Sequence, residues 1–259
     1  MTKIKTKVAV EGGKANDSMT GEPGAPKAVD RSIFQAELDA LRVREKIHTR
    51  EGDAIAAARR RLPMVEVDAT LPLIGENGPV TLLDTFEGRR MLIAYYFMWG
   101  TGKPAAQQCE GCTWVTSQIH ELSYLHVRGV TYATFCQGPY EESVRYRDFM
   151  GWEMPWYSAL PSIDKLLVGR KVGMMHIVCY LRQESRVFET WWTTIRGVES
   201  ADNSYRLLDL TVYGRQEEWE DSPVGWLKEK NFQRTNGRPT PQWARIKAGY
   251  SDDLGTGNH

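Results

Sequence analysis

The chain has 259 residues, 41% of them hydrophobic, with 33 basic and 33 acidic side chains that cancel. This length suits one generous domain with appendages. The charge balance argues against a nucleic-acid partner, and no apolar run reaches the roughly 18 residues of a membrane span.

Residues 1–28 are rich in Gly, Lys, Pro, Ser and Thr and read as a disordered tail. The stretch from Met1 to Gly13 has positive charge but no apolar h-region behind it, so the expectation is a cytoplasmic protein. Residues 29–62 read as a helical arm. Asp30 is placed to cap a helix running through Ile33, Phe34, Leu38 and Leu41, and Ala54 to Ala58 carry it toward Arg59-Arg60-Arg61 before Pro63 closes it. Three arginines suit the negative end of a helix dipole.

Residues 63–215 read as a β/α domain. Val80 to Leu83 is a short extended piece. Met91 to Trp99 is a continuous apolar and aromatic run, as expected for a central strand covered on both faces. After a Gly/Lys/Pro loop come Cys109-Glu110-Gly111-Cys112 and a helix to about Arg128, with Val115, Ile119 and Leu122 as its apolar stripe and Gly129 as its stop. Val130 to Cys136 is a second strand, and Pro139 opens a helix that ends at Gly151. Met174 to Leu181 and Val187 to Thr194 form a strand pair around the polar turn Arg182–Arg186, and Leu207 to Tyr213 is a last short helix or strand. Residues 216–259 turn polar and read as a loop-like extension held to the domain by Trp226, Phe232 and Trp243.

The cysteine pair is the strongest chemical signal. A helix start offers unpaired N–H groups and a positive dipole end, both of which stabilise a thiolate, and the thiolate is the nucleophile. On this reading Cys109 attacks a disulfide and Cys112, one turn on, resolves the mixed disulfide. Gly111 gives the turn its backbone freedom. Glu110 opposes the dipole by repelling the thiolate, which predicts a raised thiol and a reducing couple. Four cysteines are too few for a disulfide framework, and Cys136 and Cys179, set among apolar neighbours in strands, read as core. Of the histidines, His120 and His126 belong to the helix after the pair, His48 and His259 lie elsewhere, and His176 opens the strand pair.

Strand, cysteine pair, helix, strand, helix and antiparallel strand pair is the order of the thioredoxin fold. The chain resembles the DUF899 family, the AAE-type thioredoxin-like proteins. The resemblance is carried by Arg59-Arg-Arg-Leu-Pro63, Phe97-Met-Trp-Gly100, the Cys-x-Gly-Cys at 109–112 and Met150-Gly-Trp-Glu-Met-Pro-Trp-Tyr-Ser158, then by Arg196-Gly197 and Leu208-Asp-Leu-Thr-Val-Tyr-Gly-Arg-Gln-Glu217. It spans roughly residues 33–220 and implies an α/β thioredoxin-like fold with an N-terminal helical arm and an irregular C-terminal tail. The family has no agreed substrate. Thioredoxins carry Trp before the first cysteine and a cis-proline opposite it, whereas this chain has Gln108 and the proline-free Gly173-Met-Met-His176. These departures argue against general protein-disulfide exchange, and the threonine–cysteine motif of peroxiredoxin-like members is absent.

The leading expectation is therefore a dithiol oxidoreductase, with no cofactor and no metal, acting on a small or specialised disulfide and recharged by a reductant the sequence does not name. Phe97, Trp99, Trp114, Trp156 and His176 are candidates for lining its cleft, with core packing the alternative for the rings. A non-redox binding module is the second reading, including Cu(I) held by the two thiols and His176. A small-molecule enzyme with incidental thiols is the third. Oligomeric state is not implied.

Overall fold

The computed structural model describes residues 24–226, 228 and 232–254. The expected disordered tail up to residue 23, and His259, lie outside the described residues. Helix α1, Arg31–Arg59, is a single helix with no buried side chain, and Asp30 stands at its N-cap without a side-chain capping bond. Near its end Arg59 lies over the ring of Trp191 at 4.7 Å.

Short strands β1 (Val65–Val67), β2 (Pro72–Gly75) and β3 (Gly78–Thr81) precede β4 (Met91–Phe97). Helices α2 (Glu110–Ser117) and α3 (Ser123–His126) lead to β5 (Val130–Cys136), and α4 (Tyr140–Met150) leads to β6 (Trp156–Ser158). A short helix α5 (Ile163–Leu166) precedes β7 (His176–Gln183) and β8 (Arg186–Thr194). The eight strands form one sheet in the order β1-β8-β7-β4-β5-β6-β2-β3. Strand β4 pairs parallel with β5 and antiparallel with β7, which pairs antiparallel with β8. That four-strand arrangement is the thioredoxin-like core, and the fold class read from the sequence holds.

Alternation along β4 explains how the sheet serves two cores. Leu92, Ala94 and Tyr96 enter one layer, with Phe135, Val178, Tyr180 and Leu166. Tyr95 and Phe97 enter the other, with Cys112, Val115, Tyr146, Trp152 and Trp156. The period-2 geometry of a strand makes this division unavoidable once the run is apolar throughout. In the first layer the Tyr96 and Tyr180 hydroxyls satisfy each other at 2.8 Å.

The structure corrects three sequence expectations. The helix expected to run to Arg128 breaks after Ser117. There the Gln118 side chain accepts from the backbone and hydroxyl of Ser204, and Glu121 accepts the Ser123 N–H to start α3. Leu207 to Tyr213 is not an element of its own: α6 spans Asn203–Leu208 and turns follow. The C-terminal extension is not merely loop-like, since it carries the hairpin β9 (Arg234–Thr235) and β10 (Arg238–Pro239) and helix α7 (Gln242–Lys247). Sequence patterning could not reveal strands of two residues.

Buried polar bonds fasten this extension. Gln242, fully buried, donates to the Ala105 carbonyl at 2.8 Å and to the Tyr146 hydroxyl at 2.7 Å, and that hydroxyl meets Thr113 of α2 at 2.8 Å. Arg245 donates to the Phe149 carbonyl at 2.8 Å. Removing one partner from a buried pair strands the other without water. Gln242→Ala is therefore expected to lower the unfolding free energy by about 2 kcal/mol in a urea titration, with earlier proteolysis of the extension; an unchanged midpoint would contradict the anchoring role.

Candidate functional site

The site is built at the junction of β4 and α2. Cys109 is the N-cap of α2, and its sulfur accepts the backbone N–H of Cys112 at 3.2 Å. Cys109 is partly exposed, Cys112 is fully buried, and both are free thiols. The Cys112 sulfur accepts the N–H of Met98 at 3.3 Å, while the Cys109 thiol meets the Met98 thioether at 3.9 Å. Residues Met98 and Trp99, just past the strand end, thus place β4 directly against the pair.

The two thiols are driven apart in acidity. The Cys112 side chain bonded to it, together with the backbone N–H groups of Cys112 and Gly111, holds the Cys109 thiol below the ordinary range, against burial and the Glu110 carboxylate. Burial, followed by the neighbouring Cys109, pushes the Cys112 thiol well up. Glu110 does act in the direction expected from the sequence, but it is outweighed. The thiol expected to be raised is instead lowered at Cys109 and raised at Cys112. Glu110 is also paired to Arg234 at 3.0 Å. Beneath the pair, the Tyr95 hydroxyl is buried beside Cys112 without reaching hydrogen-bond geometry, and burial keeps it protonated.

Two glutamines hold the loops beside the pair. Gln108, fully buried, accepts the Gly100 N–H at 3.0 Å and donates to the carbonyls of Gly100 at 3.0 Å and Lys103 at 2.9 Å, closing the loop before Cys109 into a ring. Gln137, just past β5, accepts the Gly173 N–H at 2.8 Å and donates to the Met174 carbonyl at 2.9 Å. A pocket of about 280 Å³ lies beside Cys109, lined by Met98, Trp99, Lys103, Gln107, Cys109, Gln137 and Val172 among others. Gly111 sits inside α2 without a positive φ, so turn freedom is not its role. A Cβ there would stand 3.3 Å from Gln233 Oε1 and 3.9 Å from Met175 Cε, so its smallness admits both side chains.

Of the five cleft candidates, only Trp99 lines the pocket with Cys109. Its indole N–H donates to Glu142 at 3.0 Å. Phe97 and Trp156 are core: Trp156 stacks on Trp152 at 5.8 Å and donates to Ser143, and Phe97 packs between them and Tyr146. Trp114 packs against the Tyr205 ring of α6 at 5.0 Å. His176 is a correction. It pairs in register with Tyr96, contacts the rings of Tyr96 and Trp192, and so lies on the sheet face opposite Tyr95 and Cys112. The two thiols and His176 are therefore not a converging Cu(I) donor set, and among the described residues no three His, Cys, Asp or Glu side chains cluster as a metal site.

Cys136 and Cys179 are core and near-core thiols that burial pushes up to about 12 and about 11. Arg215 pairs with Asp209 at 2.8 Å and Glu199 at 2.9 Å over the Tyr205 ring. Sequence reasoning missed Met98, Lys103, Gln107, Gln137 and Val172 as walls. The one available signal was the length of the Gly100–Gln107 loop. It also missed Gln233 and Arg234, which come from a segment with no local pattern pointing to the cysteines.

Fold and site together define a thioredoxin-like protein with a paired cysteine at a helix start. The chain belongs to the DUF899 family, described as bacterial protein of unknown function, whose model matches residues 23–235. The match runs past the expected 33–220 and takes in Gln233 and Arg234. No curated protein matches the chain. Among solved structures, peroxiredoxin Q of Xanthomonas campestris is 13% identical with a TM-score of 0.40, over 55% of this chain and 93% of its own. A putative thiol:disulfide interchange protein DsbE from Chlorobium tepidum is 13% identical with a TM-score of 0.36, over 53% and 93%. Peroxidoxin BcpB from Mycobacterium tuberculosis is 12% identical with a TM-score of 0.37, over 56% and 99%.

The acidity difference is testable directly. In the reduced protein, iodoacetamide should label Cys109 first, with a half-maximal pH below the ordinary cysteine value of about 8.5, while Cys112 and Cys136 stay protected until denaturation. Because the folded thiol is the more acidic one, its contribution to stability is complete above the unfolded value and is lost as pH falls through the folded one. Peptide mapping that finds Cys112 labelled before Cys109 would contradict this assignment.

Proposed function

We propose that the protein is a thiol–disulfide oxidoreductase that reduces a small disulfide through Cys109 and Cys112. The observation that carries the reading is the pairing of a partly exposed, acidified sulfur on a pocket wall with a buried partner whose N–H already touches it. The Cys109 thiolate attacks one sulfur of the substrate, a bond forms between them, and the other half leaves as a thiolate. The Cys112 thiol gives up its proton and attacks Cys109, releasing the second half as a thiol and closing the Cys109–Cys112 bridge. A dithiol reductant then restores both thiols, which suits a reducing, cytoplasmic setting.

Pocket size supports a small substrate. A volume of about 280 Å³ lies at the lower edge of the range for small-molecule sites. Met175 and Gln233 crowd the Gly111 side of the pair, the side on which an extended peptide would need room. Trp99 and Met98 offer an aromatic and a thioether surface to an apolar substrate body, and Lys103 offers a cation at the wall.

The test is a redox titration of the purified protein against glutathione or dithiothreitol, read by intact mass after alkylation. A loss of two hydrogens that maps to Cys109–Cys112 and reverses on reduction is expected. Cys109→Ser should abolish disulfide reduction, and Cys112→Ser should accumulate the mixed disulfide on Cys109. A protein that never forms the bridge across the titration would overturn the reading.

A further inference from the structure

The end of the loop leading into Cys109 is gripped by a side chain of the C-terminal hairpin. Arg234, from β9 of the C-terminal hairpin, donates to the carbonyls of Ala106 at 2.8 Å and Gln108 at 3.0 Å, to the Glu110 carboxylate at 3.0 Å and to the Gly237 carbonyl at 3.2 Å. Three of these acceptors flank Cys109 on both sides in sequence. A guanidinium is suited to this because its planar fork reaches several oxygens at once, whereas an ammonium is a point charge.

We infer that Arg234 is a positioning residue of the thiol site, neutralising Glu110 and locking the backbone that delivers Cys109 to the start of α2. The inference rests on the thiol reading above and adds the element that keeps it working. A carboxylate one residue from a thiolate repels it, and an arginine bound to that carboxylate offsets part of a repulsion that still acts on Cys109. The extension does not need Arg234 for attachment, since Gln242 and Arg245 already fasten α7 to Ala105, Tyr146 and Phe149. Its neighbour Gln233 donates to the Tyr205 hydroxyl at 2.9 Å and lies over Gly111, which sets the hairpin in register on the cysteine turn.

The experiment follows the rate of Cys109 alkylation by iodoacetamide against pH in the reduced full-length protein, resolved by peptide mass, with urea unfolding run alongside. Arg234→Gln should slow alkylation at pH 7 about threefold and move the profile to higher pH, because Glu110 then loses the Arg234 counter-charge. The double variant Glu110→Gln/Arg234→Gln should recover most of the wild-type rate, which a purely structural loss would not allow. An unchanged profile in Arg234→Gln, or a double variant as slow as the single one, overturns the inference. If Arg234→Gln does not fold, Arg234→Lys takes its place: losing the fork should shift the profile upward by a smaller amount, and no shift overturns the inference. Alkylation reports thiol ionisation without any disulfide chemistry. A negative result here leaves the bridge titration untouched, and a failed titration leaves this result standing.

Discussion

Contacts from one residue, the thiol and the backbone N–H of Cys112, govern the acidity of Cys109. The amide of Cys112 points at the Cys109 sulfur from one turn inside α2, at 3.2 Å. That geometry exists only where a helix begins, because deeper in the helix every N–H is taken by a carbonyl. The helix begins at Glu110 because the preceding loop is tied off by Gln108 and the strand before it is pinned through both cores. Without that start, burial and Glu110 would both push the thiol up.

Around this contact the protein invests in closure on one side and access on the other. The C-terminal extension returns over a long sequence separation to pack hairpin and helix against α2, the loop and α4. It brings Gln233 onto Gly111 and Arg234 onto the loop carbonyls. The opposite side, between Trp99 and Val172, remains a pocket. The chain lacks the proline that faces the cysteines in thioredoxins, and in its region Gln137 holds Gly173 and Met174 by side-chain bonds. Loop positioning here is achieved by an amide clamp instead of a ring.

What the sequence made legible was what depends on short-range pattern. The apolar run at Met91–Phe97, the βαβ succession and the antiparallel pair follow from period and turn residues, and Cys109 at a helix start follows from its place after the strand. The lateral strands β2, β3 and β6 were only partly visible, since segments of three or four residues carry little periodicity. Sidedness was the main loss at the site. His176 was aligned with the cysteines along the sheet, but a strand alternates faces, and its register opposite Tyr96 turns it to the far layer. The aromatic residues near the strand ends were weighed between cleft and core, and Phe97 and Trp156 fill the core, where they pack with the rings of Tyr146 and Trp152. Arg234 could not be found from pattern at all, because only the folded chain brings it to Glu110.

The central claim is that the Cys112 thiol and the N–H groups of the helix start hold the Cys109 thiol below its ordinary range. The most direct measurement is the ultraviolet absorbance of thiolate followed through a pH titration of the reduced protein, with Cys109→Ser as the comparison. The account predicts one thiolate step below the ordinary cysteine value of about 8.5, absent from Cys109→Ser. A first step at or above that value, or one that survives the substitution, would contradict it.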